Sequence, residues 1–104
     1  MSVLEGVLLE EVQRLEKNIF EYQKRLSVLP RGTIYIKKIG ESSFVYRKRK
    51  EKGKVISEYL GNINNADVKK EIELSKEYKR IKNNLRLANQ ELCKLRKAVK
   101  AYNG

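Results

Sequence analysis

An α+β fold is expected: two long helices forming an antiparallel coiled-coil hairpin, with a three-stranded antiparallel β-sheet inserted between them. Two observations predict it. Apolar residues at Leu8, Val12, Leu15, Ile19, Tyr22, Leu26 and Leu29 alternate spacings of 4 and 3, and so do Leu74, Tyr78, Ile81, Leu85, Ala88, Leu92, Leu95, Val99 and Tyr102. This is a heptad seam, which only a helix packed on another helix can use. Between the seams, the basic segment from Arg31 to Gly61 alternates apolar and polar residues as strands do and is punctuated by glycines. At 104 residues the chain is read as a single domain, 1–104, with a helix over 2–29, a basic sheet over 33–60 and a long helix over 66–102.

The first helix starts at Ser2, a good N-cap, and Glu5 three residues later completes a capping box. Glu10 and Glu11 suit its N-terminal half, and Lys24 and Arg25 its C-terminal half. Pro30 disfavours helical geometry at Leu29 and ends it. Arg31-Gly32 then turns the chain into the first strand, Thr33 to Lys38. Gly40-Glu41 makes a tight turn, and Ser43 to Lys50 is the second strand. Glu51-Lys52-Gly53 is read as a three-residue hairpin loop with Gly53 left-handed. Lys54 to Leu60 is the third strand, which Gly61 ends. Asn64 or Asn65 caps the second helix, with Asp67 in its first turn and Asn103-Gly104 as its stop. That helix outruns the first by about two turns at 1.5 Å per residue.

With these turns, Tyr35 faces Tyr46, Lys37 faces Phe44, Tyr46 faces Glu58 and Val45 faces Tyr59. One sheet face then holds Ile34, Ile36, Val45, Val55 and Tyr59, with Arg47 and Arg49 towards its far end. The other holds Tyr35, Lys37, Phe44, Tyr46, Lys48, Lys50 and Lys54, with Ile56 and Leu60. The aliphatic face is expected to pack on a helix, leaving the aromatic, lysine-rich face open. A one-residue slip would reverse the assignment.

Charge is unevenly spread. The net +11 is the sum of −1 over residues 1–30 (four basic, five acidic), +6 over 31–61 (nine basic, three acidic) and +6 over 62–104 (eleven basic, five acidic). Such a concentration fits a polyanionic partner better than a merely solvated surface. The sharpest signal is Tyr46-Arg47-Lys48-Arg49-Lys50-Glu51-Lys52-Gly53-Lys54. A twisted ribbon of this kind fits the major groove, where Arg forks onto guanine and Lys contacts phosphate. The candidate nucleic-acid-binding residues are Tyr35, Lys37, Tyr46, Arg47, Lys48, Arg49, Lys50, Lys52 and Lys54. The competing structural explanation is that lysines guard exposed strand edges against edge-to-edge aggregation.

The segments Leu29-Pro30-Arg31-Gly32-Thr33-Ile34-Tyr35-Ile36-Lys37-Lys38-Ile39-Gly40, Phe44-Val45-Tyr46-Arg47 and Gly53-Lys54-Val55-Ile56-Ser57-Glu58-Tyr59-Leu60-Gly61 resemble a family of small, uncharacterised bacterial proteins often associated with mobile elements. More loosely, the middle segment is similar to the three-stranded arm-binding module of tyrosine recombinases, which lays its sheet in the DNA major groove. That resemblance implies DNA-facing roles for Arg47, Lys48, Arg49 and Lys50. The chain departs from it in having a long helix before the sheet and no room for a recombinase catalytic domain.

No catalytic residue is expected, and the chain is read as a non-enzyme without cofactor or metal. It has no histidine, and its one cysteine, Cys93, lies beside the second seam, where a half-buried structural role is expected. Gly40, Gly53 and Gly61 are isolated turn glycines rather than a phosphate-cradling loop. No apolar run reaches the 18 residues of a membrane span, the early acids argue against a secretory signal, and a lone cysteine fits the cytoplasm. The expectation is a cytoplasmic nucleic-acid-binding protein, DNA favoured over RNA, dimeric through its heptad seams. The alternative is an antitoxin-like or inhibitor module docking its basic sheet on an acidic protein, with a structural coiled-coil adaptor third.

Overall fold

The structure, a computed structural model, describes residues 2–103. Chain order is α1 (Val3–Val28), β1 (Thr33–Ile39), β2 (Ser42–Glu51), β3 (Lys54–Asn62) and α2 (Ala66–Asn103). The two long helices and the three-stranded antiparallel sheet, ordered β1-β2-β3, match the expected fold. The chain forms two compact units, one of Met1–Val28 with Arg80–Gly104 and the other of Leu29–Lys79. Both draw on α2: residues 66–79 belong to the sheet unit and the rest of the helix to the other. The Gly104 half of the expected helix stop lies outside the described residues.

In the helical unit, Ser2 and Glu5 form the expected reciprocal cap. The Glu5 N–H donates to Ser2 Oγ at 3.2 Å and the Ser2 N–H to Glu5 Oε2 at 3.4 Å. Leu15, Ile19, Ala88 and Leu92 form the core, with Val12, Tyr22, Leu85 and Leu95 packed against it. All eight are seam positions, so the 4–3 alternation is used within one chain, each large aliphatic residue contributing roughly 1.5–3 kcal/mol when fully buried. Two contacts fix the antiparallel sense: Ser2 Oγ lies 2.8 Å from the Tyr102 hydroxyl, and Arg96 donates to Glu16 at 3.0 Å. On the surface Arg14 donates to Glu11 at 2.8 Å. That bond holds the Glu11 carboxyl below its ordinary pKa and raises the guanidinium's.

In the sheet unit the first hairpin is as expected. Gly40-Glu41 is a two-residue turn with Gly40 at φ +64, Ile39 pairs with Ser42, and Tyr35 pairs with Tyr46. The second hairpin differs. Its turn is Lys52-Gly53, both left-handed (φ 51 and 79), and Glu51 pairs with Lys54. Two left-handed central residues match the right-handed twist of the flanking strands, which a three-residue loop would not have needed. This single residue turns β3 over. Tyr46 pairs with Tyr59 and Arg47 with Glu58, where Tyr46–Glu58 was expected.

A bulge follows at Leu60, because Val45 pairs with Gly61 while Tyr46 pairs with Tyr59. Val45 therefore does not face Tyr59 as expected. Nor does Gly61 end the strand, since β3 continues to Asn62. Gly61 has φ +133, and a Cβ there would lie 3.0 Å from Val68 Cγ2, so glycine lets the start of α2 approach the sheet. The junction is held by Asn side chains: Asn62 Oδ1 accepts from the Asn64 N–H at 2.9 Å, and Asn65 caps α2 by accepting from the Asp67 N–H at 2.8 Å. The face carrying Val45 and Arg47 is the covered one, with Val45 fully buried and Arg47 ion-paired to Glu71 of α2.

Candidate nucleic-acid interface

The open face of the sheet is built from alternate residues of all three strands. β1 and β2 supply Tyr35, Lys37, Phe44, Tyr46, Lys48 and Lys50, as the alternation predicts. β3 supplies Val55, Ser57 and Tyr59, opposite Lys50, Lys48 and Tyr46, in place of the expected Lys54, Ile56 and Leu60. The rings form one row across the sheet. Tyr35 and Tyr46 stack at 5.1 Å with planes 13° apart, Tyr46 meets Tyr59 at 5.3 Å, and Tyr59 meets Phe44 at 6.3 Å. Aromatic pairs at these separations each add about 0.5–1.5 kcal/mol beyond the area they bury, so the row is stiffened by its own members. The Tyr35 hydroxyl lies 2.6 Å from Ser57 Oγ, and Lys48 Nζ sits 4.7 Å over the Tyr35 ring. Tyr59 at the β3 edge is 58% exposed, and Lys37, Lys48 and Lys50 are exposed around the row.

The structure divides the candidate residues. Tyr35, Lys37, Tyr46, Lys48 and Lys50 share the open face. Arg47 and Arg49 point the other way. Arg47, 7% exposed, places Nη2 2.5 Å from Glu71 Oε2 and Nη1 4.0 Å from Glu58. Among the described residues its buried Nε has no hydrogen-bond partner. Arg49 pairs with Glu58 at 3.1 Å and with Glu51 at 3.7 Å. Lys52 occupies the turn, and Lys54, paired with Glu51, lies on the arginine side of the hairpin end. The expected tetrad of Arg47 to Lys50 is therefore two lysines on one face and two ion-paired arginines on the other.

The three-residue loop read from the sequence puts Tyr59 on the packed side; the structure pairs it with Tyr46 on the open one. The signal that recovers it is Lys52-Gly53 itself, a glycine at the second central position of a two-residue turn. Cys93, expected to be half-buried, is exposed: its neighbour Leu92 takes the inward position, and the α-helical step rotates Cys93 to solvent. Among the described residues no group of three or more His, Cys, Asp or Glu is placed to hold a metal ion, and no helix is long and apolar enough to cross a membrane.

Residues 4–70 match the family described as a domain of unknown function (DUF6788), and the chain belongs to that family. The match takes in α1 from its first turn, the whole sheet and the start of α2, which together contain every residue of the open face. No curated protein and no solved structure matches the chain.

Proposed function

We propose that the protein binds nucleic acid, DNA in preference to RNA, through the open face of its β-sheet, acting in the cytoplasm as a binding module rather than an enzyme. The observation that carries this reading is the aromatic row Tyr35–Tyr46–Tyr59–Phe44 bordered by Lys37, Lys48 and Lys50. The surrounding segment, residues 31–61, is net +6. Lysines supply salt-sensitive phosphate affinity, and rings supply contact area that lysines guarding an edge would not need.

A protein partner is the second reading. It is favoured by the same rings, since tyrosine and phenylalanine are enriched in protein interfaces. Both are tested by titrating labelled duplex DNA, single-stranded DNA and RNA across a salt series. Changing Lys37, Lys48 and Lys50 together to Ala should abolish binding at moderate salt, because each phosphate contact contributes about 0.7–0.9 to the slope of log affinity against log salt. Changing Lys94, Arg96, Lys97 and Lys100 of α2 should matter far less. No binding by the wild type even at low salt, with the triple lysine variant breaking a complex isolated from cells, would give the reading to a protein partner.

A further inference from the structure

We infer that the ligand of the open face is single-stranded DNA, held by stacking of unpaired bases on Tyr59 and Phe44. This rests on the nucleic-acid reading above and names its ligand class. Duplex sequence is read chiefly by Arg or Lys on guanine and by Asn or Gln on adenine, and arginine's planar fork is the rigid bidentate reader among them. The sheet keeps its arginines off the open face. Arg47 and Arg49 lie on the opposite face, held by Glu71, Glu58 and Glu51. The strands contain no Gln, and Asn62, opposite Phe44, gives its side-chain carbonyl to the Asn64 N–H at 2.9 Å.

What the face presents is lysine and aromatic ring. Lysine is a flexible point charge that suits phosphate and lacks the rigid fork by which arginine selects guanine. A ring selects for an exposed base plane, which a duplex hides in its own stack and a single strand offers. Sheets that stack bases on aromatic side chains within a positively charged surface bind single strands in this way. Tyr59 is suited to it: it ends its side of the row at the β3 edge and is 58% exposed, although Tyr46 and Phe44 flank it at 5.3 and 6.3 Å. The preference for DNA over RNA is that of the nucleic-acid reading on which this inference rests.

The chain contains no tryptophan, so Tyr59→Trp introduces a single reporter at the site. The full chain is titrated with an oligothymidylate of about 15 nucleotides, near the upper site size of a single binding fold, with the same length as a dA·dT duplex, and with oligouridylate. The single strand of DNA should bind at least about tenfold more tightly than either, with quenching of the introduced indole. In the otherwise wild-type chain, Tyr59→Ala and Phe44→Ala should each weaken single-strand binding by about 5- to 100-fold while leaving the salt slope unchanged, and Lys37→Ala should lower that slope by about 0.7. Tyr59→Leu keeps the bulk and loses the ring, so it separates stacking from folding should an alanine variant lose its sheet. Tighter binding of duplex, or full affinity in Tyr59→Leu, overturns the inference and leaves the nucleic-acid reading standing; tighter binding of RNA overturns the inference together with that reading's preference for DNA. No binding of any of the three at about 50 mM salt overturns both.

Discussion

Removing the Glu71 carboxylate should destabilise the sheet unit more than removing the buried guanidinium it serves. Arg47 is 7% exposed, with Nη2 2.5 Å from Glu71 Oε2. Its second carboxylate, Glu58, lies at 4.0 Å and is shared with Arg49 at 3.1 Å. Deleting one partner of a buried pair strands the other charge and costs about 3–5 kcal/mol. Here the Glu71 side chain is 37% exposed and Glu58 remains nearby. Part of that cost is therefore offset, and Glu71→Gln is expected to lose about 2–3 kcal/mol. Arg47→Met keeps a long side chain, removes the charge and removes the buried Nε that has no hydrogen-bond partner among the described residues. The carboxylates it leaves behind reach solvent, Glu71 at 37% and Glu58 at 45% side-chain exposure, so this variant should fall within about 1 kcal/mol of wild type. Combined with Glu71→Gln it replaces both charges of the pair, a change that is often neutral or stabilising, so it should rescue that variant. Urea unfolding followed by near-ultraviolet tyrosine dichroism is the assay, because the stacked Tyr35–Tyr46 pair reports the sheet unit rather than the helices. Losses of equal size in the two single variants would show that the ion pair stabilises the fold outright. Loss of DNA binding in a folded Arg47→Met variant would make Arg47 a ligand-contacting residue and refute the argument from burial.

Three further outcomes are expected. Leu15→Ala, at a core position 3% exposed, should cost about 2–5 kcal/mol in unfolding monitored by helical dichroism. Gly32→Ala should cost about 1–3 kcal/mol or more in the same measurement, since Gly32 sits at φ +114 and a Cβ there would lie 2.5 Å from the Lys48 carbonyl oxygen. Sedimentation at micromolar concentration should show a dimer. Because Leu15, Ile19, Ala88 and Leu92 are already buried within one chain, its contacts should come from what the hairpin leaves exposed, such as Val3, Val7 and Phe20. A monomer at every concentration would remove self-association from the functional reading.

The elements were legible because each rests on a local signal. The heptads that place Leu15, Ile19, Ala88 and Leu92 in the core depend only on spacing along one helix. The caps at Ser2 and Asn65 depend on residues two or three positions away. The first hairpin follows from Gly40 alone. The side chains of the site were less legible because their fate depends on distant partners. Nothing near Arg47 in sequence says that Glu71, 24 residues on and in a different element, will take its charge. Charge counting therefore grouped Arg47 and Arg49 with Lys48 and Lys50, although alternation along β2 sends the pairs to opposite faces.

The second hairpin shows how one residue governs the chemistry of both faces. With a three-residue loop, Tyr59 would have joined Val45 on the covered side and the aromatic row would have ended at Tyr46. The two-residue turn at Lys52-Gly53 brings Tyr59 opposite Tyr46 instead, extending the row to the sheet edge and bridging it to Phe44. Continued without interruption, the same register would set Leu60 opposite Val45, beside Val68 of α2. The bulge at Leu60 puts Gly61 there in its place, and the missing Cβ is the space into which Val68 Cγ2 packs. The open face thus gains its most exposed ring through the turn, and the covered face keeps its close helix contact through the bulge. The two irregularities are coupled: the turn alone would crowd α2 with a leucine, and the bulge without the turn would leave Tyr59 on the covered side.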